Sequence, residues 1–254
     1  MTNPRPISSF SCLTLDCYGT IIDWESGIWT ALEPLRARMG AAHTLRQDRL
    51  TLLGLFTRLE GEVQRTNPGA LYSSVLAETY GRLAADLGVA APDDDKARFG
   101  AGVGDWPAFP DSVDALRRLH KPFRLVVLSN VDRESFQRTL DRQLPGIEFD
   151  AIYTAQDIGS YKPDSRNFAY LVDHCQRDLG VAKDAIIHTA QALIHDLVPA
   201  ARAGLTSAWI ERGVEFKSAM GGRLDDHPDL SFSWRFRTLG DMAAAVEADA
   251  VKSA

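Results

Sequence analysis

Leu13-Thr14-Leu15-Asp16-Cys17-Tyr18-Gly19-Thr20 is a stretch in which an apolar, β-prone run stops abruptly at an acid. A turn follows, in which Gly19 can adopt a positive φ and Thr20 can form a local hydrogen bond. Ligands of open α/β sheets bind outside the carboxyl ends of the strands. Asp16 at such a strand end is positioned to act as a nucleophile. By this pattern alone it can equally be a turn-forming or helix-capping residue.

The composition is typical of a globular chain, with 45% hydrophobic and 24% charged residues among 254. The net charge of −6 argues against nucleic acid or an anionic membrane as a partner. No apolar run approaches the roughly 20 residues of a membrane span, and the first residues lack the order of a signal peptide. The cysteines Cys12, Cys17 and Cys175 show no C-x-x-C spacing. We therefore expect a protein of the reducing cytoplasm without a nucleic-acid or membrane partner.

Strand-like runs alternate with helical periodicity along the chain. The predicted strands cover residues 10–15, 124–128, 151–154, 185–189 and 207–210, with 232–236 at an edge. The predicted helices cover 24–39, 49–64, 70–87, a short piece ending near 103, 112–120, 133–144, 167–179, 195–203 and 239–246, and residues 211–230 are predicted as a polar loop. This alternation predicts a parallel, right-handed α/β sheet.

The helices between the first two strands predict an all-helical insert over residues 24–104, carried by an α/β core formed from residues 1–23 and 105–254. Because the insert directly follows the first strand, it must emerge over the carboxyl edge of the sheet, where it can cover Asp16. Polar side chains follow four predicted strands at that same edge. They are Asp16 and Thr20, Ser129 and Asn130, Lys162, and Gln191 and Asp196. Their convergence predicts a single active site.

Four segments carry a resemblance to a known family: LDCYGTIIDW, VVLSNVD, SYKPDSRNF and IIHTAQALIHDLVPAARAGLTSAWIER. They resemble the four ordered motifs of the haloacid dehalogenase superfamily, and the insert is similar to the cap domain of that superfamily. The L-2-haloacid dehalogenase branch is the most similar, and segments such as NPGALY and WPAFPD also resemble L-azetidine-2-carboxylate hydrolase. The resemblance implies a Rossmann-like, doubly wound sheet with an inserted helical cap, and it suggests a homodimer.

Two positions separate the chain from the phosphatases of this superfamily. Tyr18 stands where they have a second Asp that acts as a general acid, and Gln191 stands where they have a metal-ligating Asp. Since Mg²⁺ prefers clusters of hard carboxylate oxygens, we expect no metal and no other cofactor. A phosphatase is kept as a minority alternative.

An Asp nucleophile without a metal or an acid can displace a leaving group that needs no proton from a carbon next to a carboxylate. A halide meets this condition, and so does a protonated, strained ring amine. The product is an ester of Asp16, which water hydrolyses to a 2-hydroxy acid. We therefore expect a hydrolase of small carboxylic acids, most simply a 2-haloacid dehalogenase. The alternatives are ring opening of azetidine-2-carboxylate and a catalytically silent interaction protein.

The polar residues of the sheet edge receive roles as hypotheses. Lys162 is expected to pair with Asp16 and keep it ionised, and Asp196 to hold Lys162 and help activate water. The side chains of Thr20 and Ser129 are expected to hydrogen-bond the carboxylate of the nucleophile or of the substrate. Asn130 is suited to donate to the departing group. Each of these residues also has an ordinary structural interpretation as a cap, a turn residue or a surface group.

The substrate-facing residues are less strongly indicated. Arg58 resembles the cap arginine of the dehalogenases, and Tyr18, Trp24 and Trp106 are candidates for an apolar wall or for simple core packing.

The fourth motif departs from the dehalogenase pattern. That branch has Ser and Asn where this chain has Gln191 and Leu193, and Phe168 replaces its tyrosine. These positions touch the substrate carboxylate and water in that branch, so the identity of the substrate stays open. Either His188 or His195 can serve as a base for water, and a structural histidine is the favoured interpretation of both.

Overall fold

A computed structural model describes residues 5–212, 218 and 221–253. Its centre is a six-stranded sheet with the order β3-β2-β1-β4-β5-β6, in which neighbouring strands pair in parallel. The strands are β1 (Cys12–Leu15), β2 (Arg124–Ser129), β3 (Ala151–Thr154), β4 (Ile186–Ala190), β5 (Thr206–Ile210) and β6 (Trp234–Phe236). The predicted α/β class with a doubly wound parallel sheet is confirmed.

The central strands are buried along their whole length, as expected for a sheet covered on both faces. From β1 the chain runs outward through β2 and β3, and it then returns to place β4 on the other side of β1. The strand order therefore reverses between β1 and β4. The crevice outside the carboxyl ends at such a point is where open α/β sheets bind ligands.

Six α-helices lie between β1 and β2; the first five form the insert, and the sixth and the remaining helices flank the sheet. The first five are α1 (Trp24–Ala31), α2 (Glu33–Arg38), α3 (Arg49–Thr66), α4 (Tyr72–Asp86) and α5 (Asp93–Ala101). The others are α6 (Ser112–Leu119), α7 (Arg133–Gln143), α8 (Ala155–Ile158), α9 (Ser165–Leu179), α10 (Val198–Arg202) and α11 (Leu239–Ser253). The short α8 was not predicted, and the predicted polar loop 211–230 lies partly outside the described residues.

The first predicted helix is divided into two. The prediction of one continuous helix from Trp24 to Met39 is wrong, because α1 ends at Ala31 and α2 begins at Glu33. Pro34 in the first turn of α2 has no amide hydrogen for the helical ladder, so a proline here is tolerated only near a helix start.

The chain leaves and re-enters the sheet region at one place. The amide of Asp23 donates to the carbonyl of Pro107 (2.7 Å), and the amide of Phe109 donates to the carbonyl of Ile21 (3.0 Å). These two hydrogen bonds join the segment that leaves the sheet after β1 to the segment that returns toward it, next to the inserted helices. We propose that this crossing separates two units, the helical residues 24–104 and the α/β residues 1–23 with 105–254. None of the helices in the described ranges is long and apolar enough to cross a membrane.

The contact between the inserted helices and the returning chain is tight at Gly27 in α1. A Cβ atom at this position would lie 2.3 Å from Cγ of the buried Trp106 side chain. The Trp106 ring in turn packs edge-on against the Tyr18 ring, with centroids 5.6 Å apart. The glycine is therefore required by the close approach of an aromatic ring.

This contact predicts opposite effects for two glycine-to-alanine substitutions in helices. Gly27→Ala should destabilise the protein by about 1–3 kcal/mol through overpacking. The matched control Gly54→Ala changes an exposed position of α3 at which a Cβ atom meets open space, and it should stabilise the protein by about 0.5–1 kcal/mol. Urea unfolding followed by circular dichroism measures both, and equal effects of the two substitutions would contradict the packing described here.

Candidate active site

Asp16 is placed by the strand before it and the turn after it. Its amide donates to the carbonyl of Thr189 (3.1 Å), which extends the pairing of β1 with β4. The next turn closes on Cys17, whose carbonyl accepts from the amides of Thr20 (3.2 Å) and Ile21 (2.7 Å). Gly19 in this turn has a φ of 102°, a backbone conformation that favours glycine. The strand therefore ends with the Asp16 carboxylate held at the carboxyl edge of the sheet.

Both oxygens of the Asp16 carboxylate accept hydrogen bonds. The Lys162 ammonium donates to Oδ1 (2.8 Å), and the Thr20 hydroxyl donates to Oδ2 (2.7 Å). The same ammonium donates to Oδ1 of Asp196 (2.7 Å) and to the carbonyl of Leu128 (2.9 Å). Three acceptors match the three hydrogens of the ammonium group, and the lysine side chain is 2% exposed. The structure thus brings four of the predicted site residues into one buried network.

The charges in this network shift each other's pKa values. Burial raises the pKa of Asp16 above its usual range, although the Lys162 ammonium and the Thr20 hydroxyl oppose the rise. Burial also acts to raise the pKa of Asp196, but Lys162 and His188 outweigh it, so this pKa is lowered. Burial would lower the pKa of Lys162, but the two carboxylates outweigh it and raise it. Of the two acids, Asp16 is therefore the first to take up a proton as the pH falls.

Asn130 fixes the backbone at Lys162. Its side-chain amide donates to the Lys162 carbonyl (3.0 Å), and its side-chain oxygen accepts from the Lys162 amide (2.6 Å). Both ends of the Asn130 side chain thus hold the lysine backbone, and Asn130 also lines the cavity described below. Its predicted donation to the departing group stays a prediction.

Asp196 is held from its other side by His188. The His188 Nε2 atom lies 3.1 Å from Asp196 Oδ1, and its Nδ1 atom lies 2.9 Å from the hydroxyl of Thr14 on the adjacent strand. The His188 side chain is fully buried, so the structure favours its interpretation as a structural histidine. A buried chain of hydrogen bonds thus runs from Thr14 in β1 to Lys162.

The segment after β4 is wider than an α-helix. The prediction of a helix from His195 to Ala203 is only partly right, because Leu193–Leu197 forms a single π-helical turn before α10 begins. Such turns are rare and occur frequently at functional sites. This one brings the consecutive residues His195 and Asp196 to the same cavity. Burial lowers the pKa of His195, which therefore favours the neutral imidazole.

A cavity of about 280 Å³ lies between the sheet edge and the inserted helices. Its walls come from the carboxyl edge of the sheet, from α1, and from α3 and α4. The lining residues are Asp16, Tyr18, Trp24, Thr57, Arg58, Glu60, Gly61, Gln64, Arg65, Tyr72, Asn130, Lys162, Ala192, Ile194, His195 and Asp196.

Four predicted site residues lie outside this lining as far as the described residues define it. Thr20 lies behind Asp16, and Trp106 packs behind Tyr18 rather than forming the apolar wall. The buried Ser129 hydroxyl has no hydrogen-bond partner among the described residues, so the expected bond to the carboxylate of Asp16 is absent there. Gln191 donates from its backbone to Thr20 Oγ1 (2.9 Å) and supports the network from behind.

Arg58, on α3, lines the cavity. Its guanidinium is already paired with Glu62 (2.7 Å) and Asp86 (3.3 Å), and about half of the side chain is exposed. The positive charge of this arginine is therefore already partly neutralised by two acids.

Two residues of the site were missed at the level of sequence. Arg212 donates from Nε and Nη2 to the carbonyl of Thr20 (3.1 and 3.0 Å) and pairs with Asp111, so it braces the turn after Asp16. Glu60 lies buried in α3, and its Oε1 accepts a hydrogen bond from the hydroxyl of Tyr72 (2.6 Å). The position of Glu60 among the apolar residues of α3 could have indicated its role from the sequence, whereas no sequence pattern pointed to Arg212.

The donor set fits a divalent metal poorly. The hydroxyl of Tyr18 is bonded to Thr139 (2.8 Å), and the ammonium of Lys162 already bridges the two carboxylates. Within the described part of the chain, no group of three or more His, Cys, Asp or Glu side chains is arranged to hold a metal ion.

The bridge predicts a strongly pH-dependent loss of stability in Lys162→Met. Removing the cation leaves two buried carboxylates, whose pKa values then rise above those of the unfolded chain. The folded variant holds more protons than the unfolded one, so its stability falls as the pH rises above about 4. We expect a deficit of about 3–5 kcal/mol near neutral pH. Urea unfolding of both proteins at acidic and neutral pH measures it, and a deficit independent of pH would contradict the assignment.

The fold is similar to those of proteins of known structure. A defluorinating L-2-haloacid dehalogenase is similar over 97% of this chain and 100% of its own, with a TM-score of 0.76 and 20% identity. The L-2-haloacid dehalogenase from Xanthobacter autotrophicus with covalently bound chloropropionic acid is similar over 94% and 98%, with a TM-score of 0.73 and 16% identity. A hydrolase of the same superfamily from Bacillus subtilis, bound to magnesium, is similar over 94% and 99%, with a TM-score of 0.68 and 16% identity. At such low sequence identities, the structural similarity shows only that the fold is shared.

Sequence comparison supplies the family. No curated protein matches the chain in sequence. The family model of haloacid dehalogenase-like hydrolases matches residues 10–188, which include β1 to β3, the first part of β4, the inserted helices and Lys162. Because this match covers well over half of the chain and agrees with the fold, the protein belongs to the haloacid dehalogenase-like hydrolases.

Proposed function

We propose that the protein hydrolyses short 2-substituted carboxylic acids, most simply (S)-2-haloacids, through a covalent ester at Asp16. The observation that carries the proposal is the position of the Lys162 ammonium, 2.8 Å from Asp16 Oδ1 and 2.7 Å from Asp196 Oδ1 at the base of the cavity. A buried carboxylate with a fixed cation and a ligand-sized space before it has the parts that nucleophilic catalysis needs.

In the first step an oxygen of Asp16 attacks C2 of the substrate. The bond from C2 to the leaving group breaks, and its electron pair departs with that group, so that a halide leaves without a proton. Lys162 keeps the nucleophile ionised and aimed, because it contributes a full positive charge within hydrogen-bond distance.

In the second step water adds to the ester carbonyl carbon of Asp16. The negative charge that develops on the carbonyl oxygen is stabilised by the donors already present, Lys162 or Thr20. The proton of the water passes to a base and then to the departing alkoxide, which leaves as the 2-hydroxy acid. The Asp196 carboxylate and the neutral His195 imidazole both line the cavity and are the candidate bases.

The residue two positions after the nucleophile supports displacement at carbon over phosphoryl transfer. The Tyr18 hydroxyl is bonded to Thr139, and burial raises its pKa well above the usual range. A phenol held in this way is a poor proton donor for a leaving alcohol. The proposed mechanism accordingly uses no metal or other cofactor.

The proposed setting is a homodimer in the cytoplasm, where the three free, buried cysteines stay reduced. A second candidate reaction is ring opening of L-azetidine-2-carboxylate, whose leaving group is a protonated amine. The buried acid Glu60 on the cavity wall favours this substrate.

Replacement of the nucleophile tests the mechanism. Asp16→Asn should lower halide release from (S)-2-chloropropionate by at least about a thousandfold, since the amide cannot form the ester. The control Asp114→Asn, an exposed acid of α6 paired with Arg118, should keep full activity. In a single turnover in ¹⁸O water, mass spectrometry should find the label in Asp16 before it appears in the product.

Other outcomes would sink the proposal. Label that enters only the product excludes an ester. Mg²⁺-dependent phosphate release without halide or amine release would identify a phosphatase. Unchanged activity or phenotype in Asp16→Asn would point to a protein that keeps the fold without this chemistry.

The acid limb of the pH profile, where kcat/KM falls at low pH, should depend on the hydroxyl of Thr20. Asp16 must be ionised to attack, so kcat/KM should fall as the pH drops through its raised pKa. Thr20→Val removes a hydrogen bond to the carboxylate, which raises that pKa further and moves the limb to higher pH. Thr20→Ser keeps the hydroxyl and should keep the limb in place. Identical profiles for the two variants would contradict this assignment.

A further inference from the structure

Glu60 is a buried acid that faces the cavity and has no part in the proposed mechanism. It lies in α3 between Phe56 and Val63, on the side of the helix that is otherwise apolar. Its side chain is buried, yet the residue lines the cavity together with Tyr72. Burial raises the pKa of Glu60 to about 7, and the hydrogen bond from Tyr72 opposes this rise. Burial of an acid without an ionic partner lowers the stability of the folded protein.

The carboxyl group is oriented with one oxygen free. Oε1 accepts a hydrogen bond from the hydroxyl of Tyr72 (2.6 Å), and within the described residues no hydrogen bond to Oε2 is formed. Tyr72 is itself fixed by packing, because its ring lies edge-on to the Trp106 ring at 6.5 Å. Glu60 therefore presents a fixed acceptor to the cavity from the side opposite the sheet.

The charges at the base of the cavity do not balance this acid. Lys162 is shared by Asp16 and Asp196, so the three groups together carry one negative charge when both acids are ionised. His195 is favoured in its neutral form by burial. The inner cavity thus holds a further negative charge once Glu60 ionises. An anionic substrate with no positive group meets repulsion here.

The two arginines of the cavity lining lie toward its mouth. Arg58 is paired with Glu62 and Asp86 on the surface. Arg65, in the last turn of α3, forms no ion pair within the described residues and can take a substrate carboxylate. The cavity therefore offers a cation at the mouth and an acid on the wall, the arrangement that suits a substrate carrying both charges.

We propose that Glu60, oriented by Tyr72, is a specificity-determining residue that binds a positively charged nitrogen of the substrate. The inference rests on the proposed function and narrows its substrate class to short 2-substituted carboxylic acids that carry an ammonium group. A nitrogen cation next to the free Glu60 oxygen forms a charge-assisted hydrogen bond in a largely dehydrated place.

Two substrates of equal length isolate this interaction. (S)-2-Chlorobutyrate and (S)-3-amino-2-chloropropionate share the leaving group and the stereocentre, and they differ only in a methyl against an ammonium group. Halide release is measured at about pH 7.5, where the alkyl ammonium is charged. The wild-type protein should prefer the ammonium substrate through KM by on the order of tenfold or more.

Glu60→Gln should remove most of this preference by raising KM for the ammonium substrate, with kcat nearly unchanged for both. Tyr72→Phe removes the hydrogen bond that orients the Glu60 carboxyl group. It should therefore also reduce the preference for the ammonium substrate, by a smaller factor. The matched control Glu78→Gln, an exposed acid of α4 paired with Arg82, should leave the preference intact.

Binding separates this inference from the proposed function. Calorimetry of the Asp16→Asn variant with both ligands should show the same preference, and it should disappear in Asp16→Asn/Glu60→Gln. Halide release with no preference, or a preference that survives Glu60→Gln, overturns the role of Glu60 and leaves the proposed function standing. A Glu60-dependent preference in binding without turnover of either ligand supports the role of Glu60 and rejects the proposed function.

Discussion

The site depends on one ammonium group placed between two buried carboxylates. Asp16 and Asp196 are each less than a tenth exposed, and two such acids cannot both stay ionised without a cation between them. Lys162 supplies that cation, and the surrounding hydrogen bonds hold it there. Asn130 fixes the lysine backbone, and His188 holds the far carboxylate against the central strand. Most of the buried polar groups in this region therefore serve a single electrostatic arrangement, and removal of the lysine leaves both carboxylates without their cation.

The order of strands explains why these groups meet. Asp16 follows β1, and Asp196 lies in the π-helical turn that follows β4, so the two acids flank the point where the strand order reverses. The lysine arrives from the loop before α9 and bonds to the end of β2 through the carbonyl of Leu128. Because the helical insert leaves the sheet directly after β1, its helices cover this same edge. The position of Asp16 and that of the helices over it thus both follow from where the insert leaves the sheet, and the same arrangement dehydrates the site and strengthens its charge interactions.

Local sequence patterns were enough to predict the features of the structure that depend on local interactions. The apolar run before Asp16, the Gly19 turn and the polar residues at strand ends were enough to predict the sheet and a group of neighbouring side chains. What the sequence could not show depends on packing between distant segments. The partners of Asn130, the position of Trp106 behind Tyr18 and the bracing of the turn by Arg212 are all set by such contacts. The π-helical turn was hidden because its residues keep a helical pattern of apolar positions.

Glu60 shows how the core and the inserted helices divide the work of this site. Related phosphatases, by resemblance, place an acid two residues after the nucleophile, where this chain has Tyr18 bonded to Thr139. The acid that faces the cavity here comes instead from α3, on the opposite wall. An acid beside the nucleophile can protonate a leaving oxygen, whereas an acid across the cavity is suited to recognise a charge on the substrate. In the proposed mechanism, Glu60 on α3 therefore serves substrate recognition, and the network around Lys162 serves bond breaking. Substitutions in α3 are thus expected to alter the substrate preference while the network around Lys162 stays intact.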